Sequence, residues 1–230
     1  MPNSFKLEAL LFDLDGTLAD TVLQLAKASK EAIEAIGLNP PLLEQVKDYV
    51  GNGVNMLLAR CIKGSFDAKV EDIDKTLFKK AREVFNEKYT KGLGENYRLY
   101  DGVKESLDLF KNKNLKLAVV TNKPHMFAVP LLKHMGIYDK FDFVLAGEVL
   151  NKRKPDPYPI EYTLEKLEIK KENALMIGDS NNDILAGERA CVKTAFLSYG
   201  YNRMDEKDLH FDYRFDRFND LTDFIVKLIG

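Results

Sequence analysis

The chain has 230 residues, of which 45% are apolar and 30% are charged, a balance typical of a globular protein that builds its own core. Its net charge of −2 argues against a generally basic nucleic-acid-binding surface but permits a small anionic ligand. No stretch approaches the roughly 20 apolar residues of a membrane span, and residues 1–13 have no basic segment leading into a long apolar core. We therefore expect no nucleic-acid or membrane partner, no signal peptide and a cytoplasmic protein.

The first predicted element is a buried β-strand, because the short apolar run at residues 7–13 (LEALLFD) ends abruptly in aspartate and glycine. From Asp20 to about Lys91 the apolar residues follow a helical period, and we find no convincing strand there. The patterns predict a helix from Asp20 or Thr21 to Gly37, short helices over 41–50 and 54–62, and a longer helix over 70–91.

Strand and helix patterns alternate in the rest of the chain, after a helix over 100–114. Such alternation is typical of parallel βαβ units. We therefore predict an α/β fold with a doubly wound, mostly parallel sheet, in which residues 1–17 and 95–230 form the core and residues 18–94 form an inserted α-helical cap. The further strands are predicted at 115–121, 141–146, 174–179, 193–198 and 211–215.

Polar side chains able to do chemistry stand at the ends of three predicted strands. Asp13, Thr121 and Asp179 each close an apolar run, and open parallel sheets bind ligands at the carboxyl ends of their strands. Lys154 lies in the loop after the strand at 141–146. If these strands are neighbours, the four side chains converge on one site.

Asp13 and Asp15 stand two positions apart in the sequence, so on a strand both carboxylates would point the same way. Like charges this close repel, and the pair needs a cation, a shared proton, or only solvent and a turn. Asp13, Asp15 and Asp179 could bind one Mg²⁺, while Thr121 and Lys154 hold the oxygens of a phosphoryl group. Asp13 would attack phosphorus, and Asp15 would act as general acid and base.

The same residues carry a resemblance to a known family. The motif DLDGT at 13–17, the strand-end Thr121, Lys154 in KPDP, and GDSNND at 178–183 occur in this order over essentially the whole chain. This arrangement resembles the haloacid dehalogenase superfamily of phosphatases, whose small α-helical cap the helical insert also resembles.

The resemblance implies roles for individual residues. Asp13 would be the nucleophile, Asp15 the general acid/base, and Thr121 and Lys154 the phosphate ligands. The metal, Mg²⁺, would be held by Asp13, by the backbone carbonyl of Asp15 and by Asp179, with Asp183 as a further ligand or as support.

Three weaker segments resemble a bacterial subgroup that hydrolyses 2-phosphoglycolate. They are YVGNGVNMLLAR at 49–60, TNKP at 121–124 and SYGYN at 198–202. The expected partner is a small phosphorylated metabolite, and the sequence assigns no oligomeric state. Other readings remain open: an isomerase of the β-phosphoglucomutase kind, a pyrophosphatase or sugar phosphatase of the same superfamily, and a catalytically silent binding protein.

Several further residues are weaker candidates for the site. Asn122 is a candidate for substrate or phosphate contact. The GNG stretch at 51–53 is either a helix–helix turn or a cap loop that touches substrate. Arg60 could meet a substrate carboxylate, but we favour a solvated helix arginine.

Other chemically interesting side chains are interpreted as structural. The two cysteines, Cys61 and Cys191, form no CxxC pair and are expected to be free buried thiols. Cys191 stands where the family often has a glycine that closes a helix, so we expect that helix to end differently. The tyrosines Tyr199 and Tyr201 are expected to pack, and the histidines show no ligand spacing: His125, His134 and His210.

Overall fold

The computed structural model describes residues 6–201 and 204–230 of the chain. Two of the predictions extend outside these residues. They concern the SYGYN stretch, which ends at Asn202, and the segment expected to carry no signal peptide, which includes residues 1–5. The strands are β1 (Ala9–Phe12), β2 (Ala19–Asp20), β3 (Arg98–Leu99), β4 (Lys116–Pro124), β5 (Phe143–Gly147), β6 (Ala174–Gly178), β7 (Lys193–Leu197) and β8 (Tyr213–Phe215).

Six of these strands form one parallel sheet in the order β5-β4-β1-β6-β7-β8. The predicted α/β fold with a doubly wound, mostly parallel sheet is therefore confirmed. The remaining strands, β2 and β3, form a short antiparallel pair that the sequence analysis missed. Each has only two residues, too few to produce a recognisable alternation of apolar and polar side chains.

The predicted helices are present with bounds that differ by a few residues, and the helix at Phe218–Ile229 was not predicted. Residues between Asp20 and Arg98 contain helices and no strand, and the helix Val22–Glu34 packs mainly on the helix Lys75–Lys91. None of the helices in the described ranges is long and apolar enough to cross a membrane. They are α1 (Val22–Glu34), α2 (Leu43–Tyr49), α3 (Val54–Lys63), α4 (Lys75–Lys91), α5 (Val103–Asn112), α6 (His125–His134), α7 (Tyr158–Leu167), α8 (Asn181–Arg189) and α9 (Phe218–Ile229).

The predicted helix over 70–91 is interrupted near its start. A short 3₁₀ turn spans Val70–Asp72, and α4 begins only after Asp74. The Asp74 side chain accepts a hydrogen bond of 2.9 Å from the backbone N–H of Leu77. This aspartate satisfies one of the free N–H groups of the first turn, which sets the start of the helix.

The central strand β1 is buried on both faces, as is typical of parallel sheets. Leu10 and Phe12 belong to the larger apolar core, which continues into the helices of residues 22–91. Ala9 and Leu11 face a second core on the other side of the sheet, against α7 and α8. Because successive side chains alternate, a continuous apolar run supplies both cores and brings Asp13 to the end of the sheet.

The end of α8 differs from the prediction for Cys191. Cys191 adopts the left-handed conformation (φ 56°) that the family's glycine would favour. Its N–H donates to Glu188 O at 2.9 Å, and the Val192 N–H donates to Gly187 O at 2.9 Å. These two bonds form a Schellman motif, so the helix ends as it would with glycine and the prediction of a different ending is wrong. Both cysteines are free, as expected, but only Cys61 is buried.

Candidate active site

The structure brings the strand-end residues together. Asp13 follows β1, Asp179 follows β6 and Asp183 lies in the first turn of α8. One carboxylate oxygen from each lies within 4.8 Å of the other two. They meet because β1 and β6 are adjacent parallel strands, whose carboxyl ends share one edge. We call these three residues the carboxylate triad.

Lys154 inserts its ammonium group into the carboxylate triad. Its side chain is only 1% exposed, and Nζ lies 2.5 Å from Asp183 Oδ1 and 3.1 Å from Asp13 Oδ1. Burial alone would lower the pKa of Lys154, but the carboxylates of Asp13 and Asp183 outweigh burial and raise it. The lysine is therefore a buried cation that pairs with two of the three acidic groups.

The acidic groups of the site lie close together although their negative charges repel each other. Burial is the main cause that raises the pKa of Asp13 to about 6, and the charges of Asp183 and Asp15 raise it further while Lys154 opposes them. Burial, then Asp183 and Asp13, also raise the pKa of Asp179 well above its ordinary value. One ammonium group does not balance this much buried acidity.

Asp179 is positioned by residues that the sequence analysis did not select. The Thr17 hydroxyl donates to Asp179 Oδ1 and the Tyr201 N–H donates to Oδ2, each at 2.7 Å. Gly16, at φ +86°, lies so close that a Cβ there would come within 2.3 Å of Asp179 Oδ2. The glycine of the DLDGT motif therefore lets the backbone approach this carboxylate.

Asp183 uses its two oxygens for different partners. Oδ2 accepts hydrogen bonds from Ser180 N–H at 3.1 Å and from the Ser180 hydroxyl at 2.7 Å, in a capping box at the start of α8. Oδ1 faces Lys154. The helix start therefore orients one oxygen of Asp183 toward the triad.

The carboxylate triad has the chemistry of a site for a divalent cation. Its ligands are hard carboxylate oxygens, which Mg²⁺ prefers. Asp13 Oδ1 is buried and accepts no well-formed hydrogen bond among the described residues, an arrangement that a bound cation would satisfy. The residues present therefore fit the metal that the sequence analysis expected.

The carboxylate of Asp15 does not join the triad. It binds Lys123 instead, with Nζ at 2.9 Å from both carboxylate oxygens, and it accepts a bond of 2.6 Å from the Thr21 hydroxyl. Asp15 lies beyond the end of β1, so the alternation of a strand does not align it with Asp13. The predicted ligation by the Asp15 side chain is therefore not supported, and ligation by its backbone carbonyl stays a prediction.

Lys123 is the main functional candidate that the sequence analysis missed. It lies in β4, which extends beyond Thr121 to Pro124, and its side chain is 2% exposed. Its Nζ lies 4.8 Å from the centre of the Tyr89 ring. Burial would lower the pKa of Lys123, but Asp15 outweighs it and raises the pKa. The spacing of two residues from Thr121 was the available signal, since side chains two apart share a face of a regular strand.

Thr121 and Asn122 both lie at the site, and Asn122 is held there by its own hydrogen bonds. Both line the cavity beside Asp13. The Asn122 amide donates to Gly51 O at 2.8 Å and to Lys154 O at 2.9 Å, and its Oδ1 accepts from Lys154 N–H at 3.0 Å. Both amide hydrogens are thus used within the protein, so Asn122 positions Lys154 instead of offering free donors to a substrate.

The GNG loop at 51–53 lies over the strand ends. Its backbone accepts the bond from Asn122, and Asn182 Nδ2 donates to Gly51 O at 3.3 Å. The Asn52 amide donates to Asn182 Oδ1 at 3.1 Å. Together with Val54, Leu57 and Phe127 this loop closes a cavity of about 40 Å³ above Asp13. Contact between the loop and a substrate stays a prediction.

Arg60 and Tyr201 have structural contacts. Arg60 is 5% exposed, so the expectation of a solvated arginine is wrong. Its guanidinium donates to Tyr49 O, Phe66 O and Asn52 Oδ1 at 2.8–2.9 Å, which supports the GNG loop. The Tyr201 hydroxyl accepts bonds from the Thr21 and Val22 N–H groups and donates to Asp20 at 2.6 Å, which caps the start of α1.

The sequence and fold match known proteins over most of their length. The family model of the haloacid dehalogenase-like hydrolases matches residues 10–197, and the chain therefore belongs to this family. Among curated proteins it is 39% identical to the phosphoglycolate phosphatase of Psychrobacter arcticus over 96% of both chains, and 39% identical to that of Photobacterium profundum over 95% of both.

A solved structure shows the same fold. The crystal structure of a predicted phosphoglycolate phosphatase from Haemophilus somnus 129pt superimposes with a TM-score of 0.88. The two sequences are 33% identical, and the match covers 98% of this chain and 100% of that one. The resemblance that the motifs carried is therefore confirmed at the level of the family and of the fold.

Proposed function

We propose that this chain is a Mg²⁺-dependent phosphatase that hydrolyses a small phosphorylated acid, 2-phosphoglycolate, by way of an aspartyl-phosphate. The observation that carries the proposal is the position of Asp13, whose buried Oδ1 accepts no well-formed hydrogen bond and faces Lys154 across 3.1 Å. The substrate assignment is supported by the relatives named phosphoglycolate phosphatase.

The first half of the proposed reaction transfers the phosphoryl group to the protein. A carboxylate oxygen of Asp13 forms a bond to phosphorus while the bond from phosphorus to the leaving oxygen breaks. Asp15, after it has taken up a proton from solvent, gives that proton to the leaving oxygen, which departs as the hydroxyl group of the product acid. Thr121 and Lys154 hold the phosphoryl oxygens in place.

The second half regenerates the protein. A water molecule attacks the phosphorus of the aspartyl-phosphate, and Asp15 takes a proton from that water. The bond between phosphorus and the Asp13 oxygen breaks, which releases inorganic phosphate and restores the Asp13 carboxylate. Mg²⁺ held by Asp13, Asp179 and the backbone carbonyl of Asp15, with support from Asp183, would neutralise negative charge on the carboxylates and on the phosphoryl oxygens. Thr17 and Ser180 keep Asp179 and Asp183 in position for this task.

The helical segment serves as a cap in this proposal. We assign residues 18–94 to the cap and residues 1–17 and 95–230 to the core, with hinges near 17–20 and 91–98. The GNG loop lies directly over Asn122 and Asn182, so an opening of the cap would admit substrate and its closure would exclude water.

The test is a panel of phosphate esters assayed with Mg²⁺ and with EDTA. We expect release of inorganic phosphate from 2-phosphoglycolate, loss of that release in EDTA, and weaker release from pyrophosphate and hexose phosphates. An isomerised sugar phosphate without free phosphate would identify the mutase instead. No turnover of any ester, p-nitrophenyl phosphate included, would identify a binding protein.

A further inference from the structure

Lys123 has no role in the reaction proposed above, although its buried side chain lines the cavity. We propose that Lys123 is the specificity-determining residue that binds the carboxylate of the substrate acid. The proposal rests on the phosphatase function and deepens it, since it explains why a phosphorylated acid would be preferred over a neutral ester.

A substrate carboxylate needs a cation in this space. A negative charge that leaves water is strongly disfavoured unless a partner compensates it. Among the described residues that line the cavity above Asp13, Lys123 is the only cationic one. Lys154, on the neighbouring side, already faces Asp13 and Asp183 and is assigned to the phosphoryl group.

Arg60 does not supply this cation. Its guanidinium donates to two backbone carbonyls and to the Asn52 side chain, and it stacks over the Phe66 ring at 4.0 Å. These contacts hold it beneath the GNG loop, and it is not among the residues that line the cavity.

The contact between Lys123 and Asp15 shows that the ammonium group can bind a carboxylate here. Nζ lies 2.9 Å from both oxygens of Asp15, while the face of the Tyr89 ring covers Nζ from the helical segment. The carboxylate of a substrate competes with Asp15 for this ammonium group. Once Asp15 is displaced, its side chain is free to turn toward the leaving oxygen. An ester with a neutral tail does not produce this exchange.

The test compares two esters that differ in the carboxylate. Values of kcat/KM are measured with Mg²⁺ for 2-phosphoglycolate and for ethyl phosphate, which has the same length without the charge, in the natural protein and in Lys123→Met. We expect the preference for 2-phosphoglycolate to fall by about 10- to 100-fold in the variant, as is typical when a charge-assisted hydrogen bond is lost. Lys123→Arg keeps the cation and should retain most of the preference.

A matched control removes the same charge elsewhere. Lys116 is the first residue of β4, and its side chain is half-exposed. The spacing of residues along a β-strand places it about 23 Å from Lys123. Lys116→Met should leave the preference unchanged. Because the preference is a ratio within one protein, a general loss of activity or of folded protein lowers both rates and cancels.

The outcomes separate this inference from the proposed function. If the natural protein does not hydrolyse 2-phosphoglycolate, the proposed substrate fails, and if it hydrolyses both esters equally well, the inference is overturned. If it prefers 2-phosphoglycolate and Lys123→Met loses both activities in parallel, or keeps the preference, Lys123 is only structural and the inference is overturned. A selective loss in Lys123→Met, with the preference retained in Lys123→Arg, supports the inference.

Discussion

Asp13 combines two properties that rarely occur together in one carboxylate. It lies largely buried at the end of a strand, which raises its pKa to about 6, and its buried Oδ1 is paired with Lys154 at 3.1 Å but accepts no well-formed hydrogen bond. A purely structural aspartate at this depth would have its oxygens hydrogen-bonded, because an unsatisfied buried acceptor costs stability. The arrangement is understandable if Asp13 is kept available for a reaction.

Asp13→Asn is expected to reduce phosphate release by at least about 10⁴-fold, because the amide is a poor nucleophile. The variant should fold, since it removes a buried negative charge beside Asp183 and keeps the shape of the side chain. Phosphate release is measured with Mg²⁺, and the melting temperature is measured in EDTA. Turnover by the folded variant near the natural rate would rule out Asp13 as the nucleophile.

Cys191 gives a second prediction at the scale of one residue. Its left-handed conformation is unfavourable for a residue with a side chain. Cys191→Gly should therefore increase the free energy of unfolding by about 1 kcal/mol, measured by urea denaturation under reducing conditions. Cys191→Ala is the control, since alanine keeps the unfavourable conformation. Equal stability of the two variants would show that the strain is negligible.

At the scale of elements, Asp142 links the starts of two neighbouring strands. Its carboxylate accepts hydrogen bonds from Leu117 N–H and Lys111 Nζ at 2.9 Å and from Lys116 Nζ at 3.1 Å. Burial alone would raise the pKa of Asp142, but these bonds outweigh it and hold the pKa below its ordinary value. The carboxylate thereby joins β4, the entry to β5 and the end of α5.

This pairing predicts a pH-dependent contribution to stability. Because the folded pKa is lowered, the contribution is complete above the ordinary aspartate pKa of about 3.9 and is lost as the pH falls through the folded value. Asp142→Asn should cost about 1 kcal/mol at pH 7, a discounted value for a partly exposed group. Urea denaturation at pH 7 and pH 3 should show the difference shrinking in acid; a constant difference would contradict this account.

At the scale of the whole molecule, the carboxylate triad connects distant parts of the chain. Asp13 and Asp179 follow adjacent strands, and the helical segment covers them through the GNG loop. A cation bound by the triad interacts with the folded protein and not with the unfolded chain. Binding must therefore raise the stability of the whole protein.

Mg²⁺ at about 100 times its dissociation constant should stabilise the protein by about 2.7 kcal/mol, which is about 5–10 °C in melting temperature for a chain of this size. Asp179→Asn should abolish most of this shift. Asp223→Asn, which alters an exposed aspartate of α9, should preserve it. A natural protein whose melting temperature does not respond to Mg²⁺ would contradict the metal assignment.

The sequence by itself determined that Asp13 and Asp179 follow directly after buried strands, whereas Thr121, also predicted at a strand end, lies inside β4. The apolar run before Asp13 and the alternation of strands and helices are local patterns, and each reflects side chains that must be buried on a defined period. From these patterns and one rule about parallel sheets, the convergence of Asp13, Asp179 and Lys154 followed without the structure. The family resemblance added Asp183, which indeed contacts Lys154.

Only the tertiary structure decided the partners of Asp15, Arg60 and Asn122. Lys123 is 108 positions from Asp15, and Gly51 is 71 positions from Asn122. No local period encodes these two contacts, because the first depends on the pairing of β1 with β4 and the second on how the helical segment docks onto the sheet. The contacts of Arg60 lie within the helical segment and depend on how its helices pack. A buried charge takes whichever partner the fold brings within reach, and for Asp15 that partner is a lysine which no motif had singled out.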